Sequence, residues 1–354
     1  MNTKNKVNPS EDYQTIIRNR YMAIHSVSDY AKSFEQNCTQ DPVRISTGYE
    51  SLDIALNGGV TNELYIIAAE TSTGKSALTM SMAQHIAACG TYVLYFALEM
   101  SQDEFIARGI SSLSYQAFCS GQSTCCYTSA DILYHSYDPA TQQFSKVPFN
   151  EYKPFYDQYF QLYGEHLYII ESGMDGWIAR DIANAVVLWK RDHPDTPVVV
   201  FIDYLQNIKA DPSDRSQQDR KTKTDVCVNT LKTLSSQVGV PVITISSVSR
   251  SNYHGKIGTS CFKESGDTEY TAGILLGWNW LGITDSSYED DIIEEKRQCA
   301  ERGYRRMELD ILKYRNAQRD QSVYLYYYPA YNYFVEANKD FSDVFVPQQS
   351  VHKF

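Results

Sequence analysis

Residues 64–76 read Leu-Tyr-Ile-Ile-Ala-Ala-Glu-Thr-Ser-Thr-Gly-Lys-Ser. An apolar run enters a loop of small residues that ends in Gly74-Lys75-Ser76, and a helix-compatible stretch, Ala77 to Ala88, follows at once. Strand, loop, Gly-Lys-Ser and helix in that order are the parts of a phosphate-binding loop. The chemistry they offer is electrostatic. Backbone N–H groups of Ser72, Thr73 and Gly74, with a helix N-terminus behind them, make a concave site for an anion. The Lys75 ammonium reaches the β- and γ-phosphates of a bound nucleotide, and the Ser76 hydroxyl suits Mg²⁺. The loop departs from the general pattern at its first position, where Ala69 stands in place of Gly. The tripeptide alone also fits a solvated turn. Its flanks favour the phosphate loop, because Tyr65-Ile66-Ile67 reads as a buried strand and Ala77, Met80, Ala83 and Ala87 fall at helical spacing.

Two carboxylates end other apolar runs. Tyr92 to Leu98 leads to Glu99, and Pro197 to Ile202 leads to Asp203. In a parallel α/β sheet, ligands sit beyond the carboxyl ends of the strands, so both acids fall at the edge that carries the phosphate loop. An Asp there holds Mg²⁺ directly or through water, and a Glu there can polarise an attacking water. Each has a plainer reading: Asp203 as a turn residue, Glu99 as an acid favoured by a helix dipole.

Strands must position these groups, and the pattern supplies them. Beyond the first three, strands are expected at 167–171, 241–246, 273–278, 308–314 and 322–328, and helices at 102–114, 177–191 and 223–238. Strands alternating with helices predict an α/β fold, a mainly parallel twisted sheet with helices on both faces. Polar loops cover 209–222 and 249–267. Residues 1–44 read as a helical arm or linker with an apolar stripe at Tyr13, Ile16, Ile17, Tyr21 and Ile24. Residues 45–336 form the main domain, and 337–354 a tail. Within the domain, 115–160 is rich in Tyr, Phe, Ser and Gln without a clear period and reads as an insertion, with helix near 151–163.

Composition narrows the class. The chain has 354 residues, 43% of them hydrophobic, and a formal net charge of −11. That balance argues against a uniformly basic nucleic-acid coat but permits a local basic channel. No apolar run approaches the roughly 18 residues of a membrane span, and the polar N-terminus carries no secretory segment. Eight scattered cysteines form no Cys-x-x-Cys pair. They point to free thiols in a reducing cytoplasm rather than to zinc or disulfides.

Taken together the motifs resemble those of the DnaB-type replicative helicases. The similarity lies in Ala69-Glu-Thr-Ser-Thr-Gly-Lys-Ser76, Ala97-Leu-Glu-Met-Ser101, Phe201-Ile-Asp-Tyr-Leu-Gln206, Ile245-Ser-Ser-Val-Ser-Arg250, Lys263-Glu-Ser-Gly266 and Lys313-Tyr-Arg-Asn316, in that family's order. The resemblance covers about residues 45–336 and implies a RecA-like P-loop motor. It implies an ATP-hydrolysing, ring-forming helicase, a hexamer that translocates on single-stranded DNA in replication, with a primase or loader as candidate partner. It implies ATP and Mg²⁺ as cofactors, Lys75, Ser76 and Asp203 around phosphate and metal, Glu99 as base and Gln206 as sensor. It also implies Lys313 and Arg315 as fingers reaching a neighbouring subunit's γ-phosphate; on the residues alone they are two same-face positions of an edge strand. The chain departs from the family at Ser247, where Gln is usual, and in having no globular collar before residue 45. For DNA, Arg215, Arg220 and Lys221 in one loop, and Arg250, Lys256 and Lys263 in the other, are the candidates to track phosphates without reading sequence. Two rival readings are an ATP-controlled DNA-binding or assembly factor with little unwinding, and a RecA-like recombination or repair ATPase.

Overall fold

The computed structural model describes residues 26–39, 43–134, 136–138, 142–248, 255–262, 271–282, 289–314 and 321–338. The apolar stripe at Tyr13 to Ile24, and Arg250, Lys263 and Arg315, lie outside them. The chain divides into two units, residues 1–43 and 44–354. In the first, Ser26 caps a 3-10 turn at Val27–Tyr30 by accepting from the Asp29 N–H, and helix α1 (Ala31–Thr39) follows. Val27, Tyr30 and Phe34 are exposed there.

The second unit opens with helix α2 (Glu50–Ala55) and strand β1 (Leu64–Ala69), whose residues are all buried. Helix α3 (Lys75–Ala88) starts at the phosphate loop. Strand β2 (Tyr92–Ala97) and helix α4 (Gln102–Cys119) come next, the latter begun by a capping box of Ser101 and Glu104. A short helix α5 (Ser129–Leu133) and a hairpin, β3 (Ser136–Asp138) with β4 (Gln143–Ser145), precede helix α6 (Phe149–Tyr163). Then follow β5 (Leu167–Glu171), α7 (Ala179–Asp192), β6 (Val198–Asp203), α8 (Arg220–Val238), β7 (Val242–Ser247) and β8 (Ile274–Trp280). Helix α9 (Glu289–Arg302), β9 (Arg305–Tyr314), β10 (Ser322–Tyr328) and β11 (Tyr333–Ala337) complete the unit.

One sheet holds nine of these strands, in the order β11-β10-β9-β8-β1-β7-β6-β2-β5. The six from β8 to β5 run parallel, as the apolar runs predict, and β9, β10 and β11 extend the sheet antiparallel. β1 lies between β7 and β8, buried on both faces. The core is aromatic as well as aliphatic, with Trp278, Tyr65, Tyr95, Phe96, Phe105 and Phe201 fully buried. Among the described residues no helix is long and apolar enough to cross a membrane.

The short elements α2, α5, β3, β4 and β11 go beyond the sequence expectation, and three longer ones differ from it for a physical reason. Helix α9 has no counterpart in the sequence pattern, because Glu289 to Arg302 is mostly charged. Ion pairs at helical spacing run along it, Arg297 with Glu294 and Glu301, while Cys299 is buried. Helix α4 runs on to Cys119, past the expected end at 114, because Tyr115 and Phe118 have a surface to bury against. Tyr115 stacks on Tyr331 at 4.1 Å between ring centroids and contacts Tyr328 and Tyr333 from the C-terminal strands. This part of the Tyr-rich stretch is intramolecular packing. Helix α8 begins at Arg220 rather than 223, capped by the Asp219 side chain, which accepts from Thr222 N–H at 2.9 Å.

Candidate active site

The loop from Glu70 to Gly74 is held in a turn that few sequences could adopt. Ser72 (φ +62°) and Gly74 (φ +100°) both lie in the left-handed region. A Cβ at Gly74 would stand 2.5 Å from Tyr327 Cε1, so glycine is required there on two counts. Thr73 Oγ1 donates to the Glu70 carbonyl at 2.8 Å. Strand β8 and the antiparallel strand β9 next to it both hold the loop. Trp278 Nε1 donates to the Thr73 carbonyl at 3.1 Å, and Arg305 Nη1 to the Ser72 carbonyl at 2.7 Å. The Arg305 guanidinium also lies over the rings of Trp280 and Tyr327, 5.1 and 5.5 Å from their centroids.

Lys75 is buried, and its Nζ donates to the carbonyls of Ala69 and Glu70. Burial pushes the ammonium down to about 8, against the opposing charges of Asp203, Glu99 and Glu70. A bound phosphate favours the charged form. Nucleotide affinity in the absence of divalent metal is therefore expected to hold steady below pH ~8 and to fall above it, as the free protein's lysine loses its proton. Titration of a fluorescent ATP analogue in EDTA from pH ~7 to ~9.5 measures this; a flat profile would place the phosphates away from Lys75.

Asp203 ends β6 and is almost fully buried. Burial pushes its carboxyl up to about 6; the Ser76 hydroxyl opposes that, the Glu99 charge adds to it, and the Tyr95 hydroxyl and Lys75 oppose it. Tyr95 donates to Oδ2 at 3.2 Å, whereas Oδ1 is buried with no hydrogen bond. A buried carboxylate oxygen without a partner, with a serine hydroxyl beside it, is a donor set that suits a hard cation such as Mg²⁺. Glu99 stands exposed just past β2, within electrostatic reach of Lys75 and Asp203. Its position follows from the sheet, since Leu98 N–H donates to the Asp203 carbonyl at 2.8 Å and continues the β2–β6 ladder. Four sequence-predicted groups, Lys75, Ser76, Glu99 and Asp203, thus share one edge.

Gln206 connects this edge to its neighbours. Its amide donates to Ser246 Oγ at 2.9 Å and the Ser247 carbonyl at 3.1 Å, and accepts from Ser247 N–H at 3.2 Å. Its own carbonyl accepts from Lys223 of α8 at 2.9 Å. Lys209, Arg220, Lys223, Gln206 and Gln217 line a cavity of about 390 Å³. Arg220 and Lys221 are exposed in the first turn of α8, whereas the side chain of Arg215 lies outside the described set. Lys256 is placed differently from the solvated loop cation expected of it. Its ammonium bridges Glu308 at 3.0 Å and Asp310 at 3.1 Å, and Asn279 holds Asp310 at 2.8 Å and the Ile257 N–H at 2.8 Å. A phosphate contact by Lys256 would cost both ion pairs. Lys313 is half-buried on β9, its Nζ donating to the Ala272 carbonyl of its own chain at 2.7 Å. Sequence reasoning missed Tyr95, Trp278, Arg305 and Tyr327. All sit in strands, where the three aromatics read as core and Arg305 as a solvated edge residue, and only strand order brings them to the site.

Comparison with known proteins bears on the family and the fold. The sequence profile of the DnaB-like helicase C terminal domain matches residues 44–123 and 141–336. The replicative DNA helicase DnaB of Geobacillus stearothermophilus is 25% identical over 311 residues, covering 86% of this chain. The chain spans 59% of that relative's length. The structure of a DnaB-like replicative helicase and its interactions with primase superposes with a TM-score of 0.66 at 22% identity, over 91% of this chain and 74% of that one. A second solved structure, an ATPase domain, superposes with a TM-score of 0.64 at 21% identity, over 88% of this chain and 99% of that one. The fold is thus the one the motifs imply.

Proposed function

The chain belongs to the DnaB-like helicase C-terminal domain family, and on that premise we propose that it is an ATP-hydrolysing motor that moves along single-stranded DNA during replication. The observation that carries the reading is the convergence of Lys75, Ser76, Glu99 and Asp203 at the carboxyl edge of the sheet, with Gln206 joined to the end of β7 and to α8, the elements beside the two polar segments. Lys75 and the loop N–H groups bind the phosphates. Ser76 and Asp203 would hold Mg²⁺, which supplies charge neutralisation on the phosphate oxygens. Glu99 orients and deprotonates the attacking water. The Gln206 side chain grips the end of β7 and its backbone carbonyl takes Lys223 from α8, so a shift at the γ-phosphate reaches the elements beside both candidate DNA segments through one residue.

The same reading has the chain assemble as a cytoplasmic homo-hexamer, with Lys313 and Arg315 serving a neighbour's site and a primase or loader as partner. Lys313 would have to leave the Ala272 carbonyl to do so, which ties the finger to a change of state at the subunit boundary. For DNA, Arg220 and Lys221 are the favoured contacts. They put positive charge at a helix N-terminus, where the dipole disfavours it and an anion is welcome. Replacing both by alanine is expected to flatten the slope of log affinity against log salt by roughly 0.7 per lost phosphate contact on single strands. Binding isotherms across a salt series test this, and an unchanged slope with the fold intact would move the DNA site elsewhere.

The reading as a whole is tested by strand displacement on a forked duplex with ATP and Mg²⁺. Unwinding by the wild-type chain and none by Glu99→Gln supports it; ATP turnover without displacement favours an ATP-controlled assembly factor.

A further inference from the structure

Tyr95 is fully buried in β2, paired in register with Phe201 of β6. Its ring stacks on Phe201, with centroids 5.6 Å apart and planes 13° from parallel, and meets Phe105 edge-on at 4.7 Å. Those two contacts fix the ring and leave the hydroxyl one position. There it donates to Asp203 Oδ2 at 3.2 Å and meets Thr79 Oγ1 at 2.9 Å. The Thr79 hydroxyl in turn lies 3.1 Å from the Ser76 carbonyl and 3.4 Å from that of Lys75. Thr79 belongs to α3, one turn after Lys75 and Ser76, so the run of contacts through Thr79, Tyr95 and Asp203 joins that helix to the carboxylate at the end of β6.

The run also has a direction. A phenol is a single-proton donor, and a carboxylate only accepts, so the Tyr95 proton goes to Asp203 and Tyr95 is left to accept; the one Thr79 proton is shared between Tyr95 and the Ser76 carbonyl of its own helix. Holding Oδ2 in this way fixes the plane of the carboxylate. The other oxygen, Oδ1, is buried and makes no hydrogen bond. Its orientation is set before any ligand arrives. A carboxylate free to turn in a buried pocket would have to be ordered by the ligand at a cost in affinity, and outer-shell partners of metal-binding groups commonly supply that ordering.

We propose that Tyr95, assisted by Thr79, is a positioning residue that aims Asp203 Oδ1 at the divalent cation of a bound metal–nucleotide. This rests on the reading of Asp203 as the metal-linked acid. The tyrosine touches neither nucleotide nor metal and acts only through Asp203. Tyr95→Phe keeps the ring and its stacking and removes one oxygen. Thr79→Val removes the donor to Tyr95 at nearly constant volume.

Binding of a fluorescent, non-hydrolysable ATP analogue is measured in EDTA and across a Mg²⁺ series, with thermal unfolding of each variant recorded alongside. Tyr95→Phe is expected to raise the half-saturating Mg²⁺ concentration about tenfold while leaving the EDTA affinity unchanged. Thr79→Val should move it in the same direction by less, and it decides the matter if Tyr95→Phe does not fold. Asp203→Asn should abolish the Mg²⁺-dependent gain. A wild-type Mg²⁺ requirement in Tyr95→Phe, with the gain lost in Asp203→Asn, overturns the positioning role and leaves the site reading standing. Equal losses in EDTA and in Mg²⁺ also overturn it, because the hydroxyl would then serve only the loop's packing. An unaltered Mg²⁺ gain in Asp203→Asn overturns both.

Discussion

Glu99→Gln is expected to bind ATP as the wild type does and to turn it over about 10²–10⁴-fold more slowly. The amide keeps the size and the hydrogen-bonding reach of the side chain and loses the ability to take a proton from water. Binding should be spared, because in the proposed function the phosphates are held elsewhere, by the loop N–H groups and by Lys75 from α3. The Glu99 charge also raises the Asp203 carboxyl, so its removal should ease ionisation of Asp203 rather than hinder it. Rapid-quench turnover and equilibrium binding on the same preparation separate the two effects. Normal turnover in this variant would take Glu99 out of the chemistry.

The second large effect is expected on binding itself. Lys75→Ala should weaken ATP binding by roughly ten- to a hundredfold, the range for losing a charge-assisted hydrogen bond to phosphate. The fold should tolerate the change well. Lys75 is a buried cation whose hydrogen bonds go to the carbonyls of Ala69 and Glu70, and burial disfavours its charge. Removing it relieves that cost, so the melting temperature is expected to hold or rise while affinity collapses. Calorimetry with and without nucleotide reads both. Retained affinity would mean that the phosphates bypass the loop.

Much of this site is legible along the chain because its groups follow local rules. Lys75 and Ser76 stand at a strand-to-helix turn, and Glu99 and Asp203 end continuous apolar runs, which is where a parallel sheet brings ligands. What is not legible depends on strand order. Trp278 reaches the Thr73 carbonyl across 205 residues of sequence, and nothing in an apolar strand marks it for that task. Tyr95 reads as one more core aromatic until β2 and β6 lie side by side. Lys256 looks like a solvated cation until Glu308 and Asp310 of β9 are seen to face it. Helix α9 escapes a hydrophobic-period reading because its short apolar content falls below what such a pattern needs. In each case a group's chemical type is local and its partner is not.

The central claim, that ATP hydrolysis at this edge drives movement on single-stranded DNA, is met most directly by one measurement. ATP turnover of the purified chain is followed in Mg²⁺ while single-stranded DNA is added to saturation. A saturable rise in turnover, absent in Glu99→Gln, is the expected result. Turnover indifferent to DNA at concentrations where DNA is bound would contradict the claim.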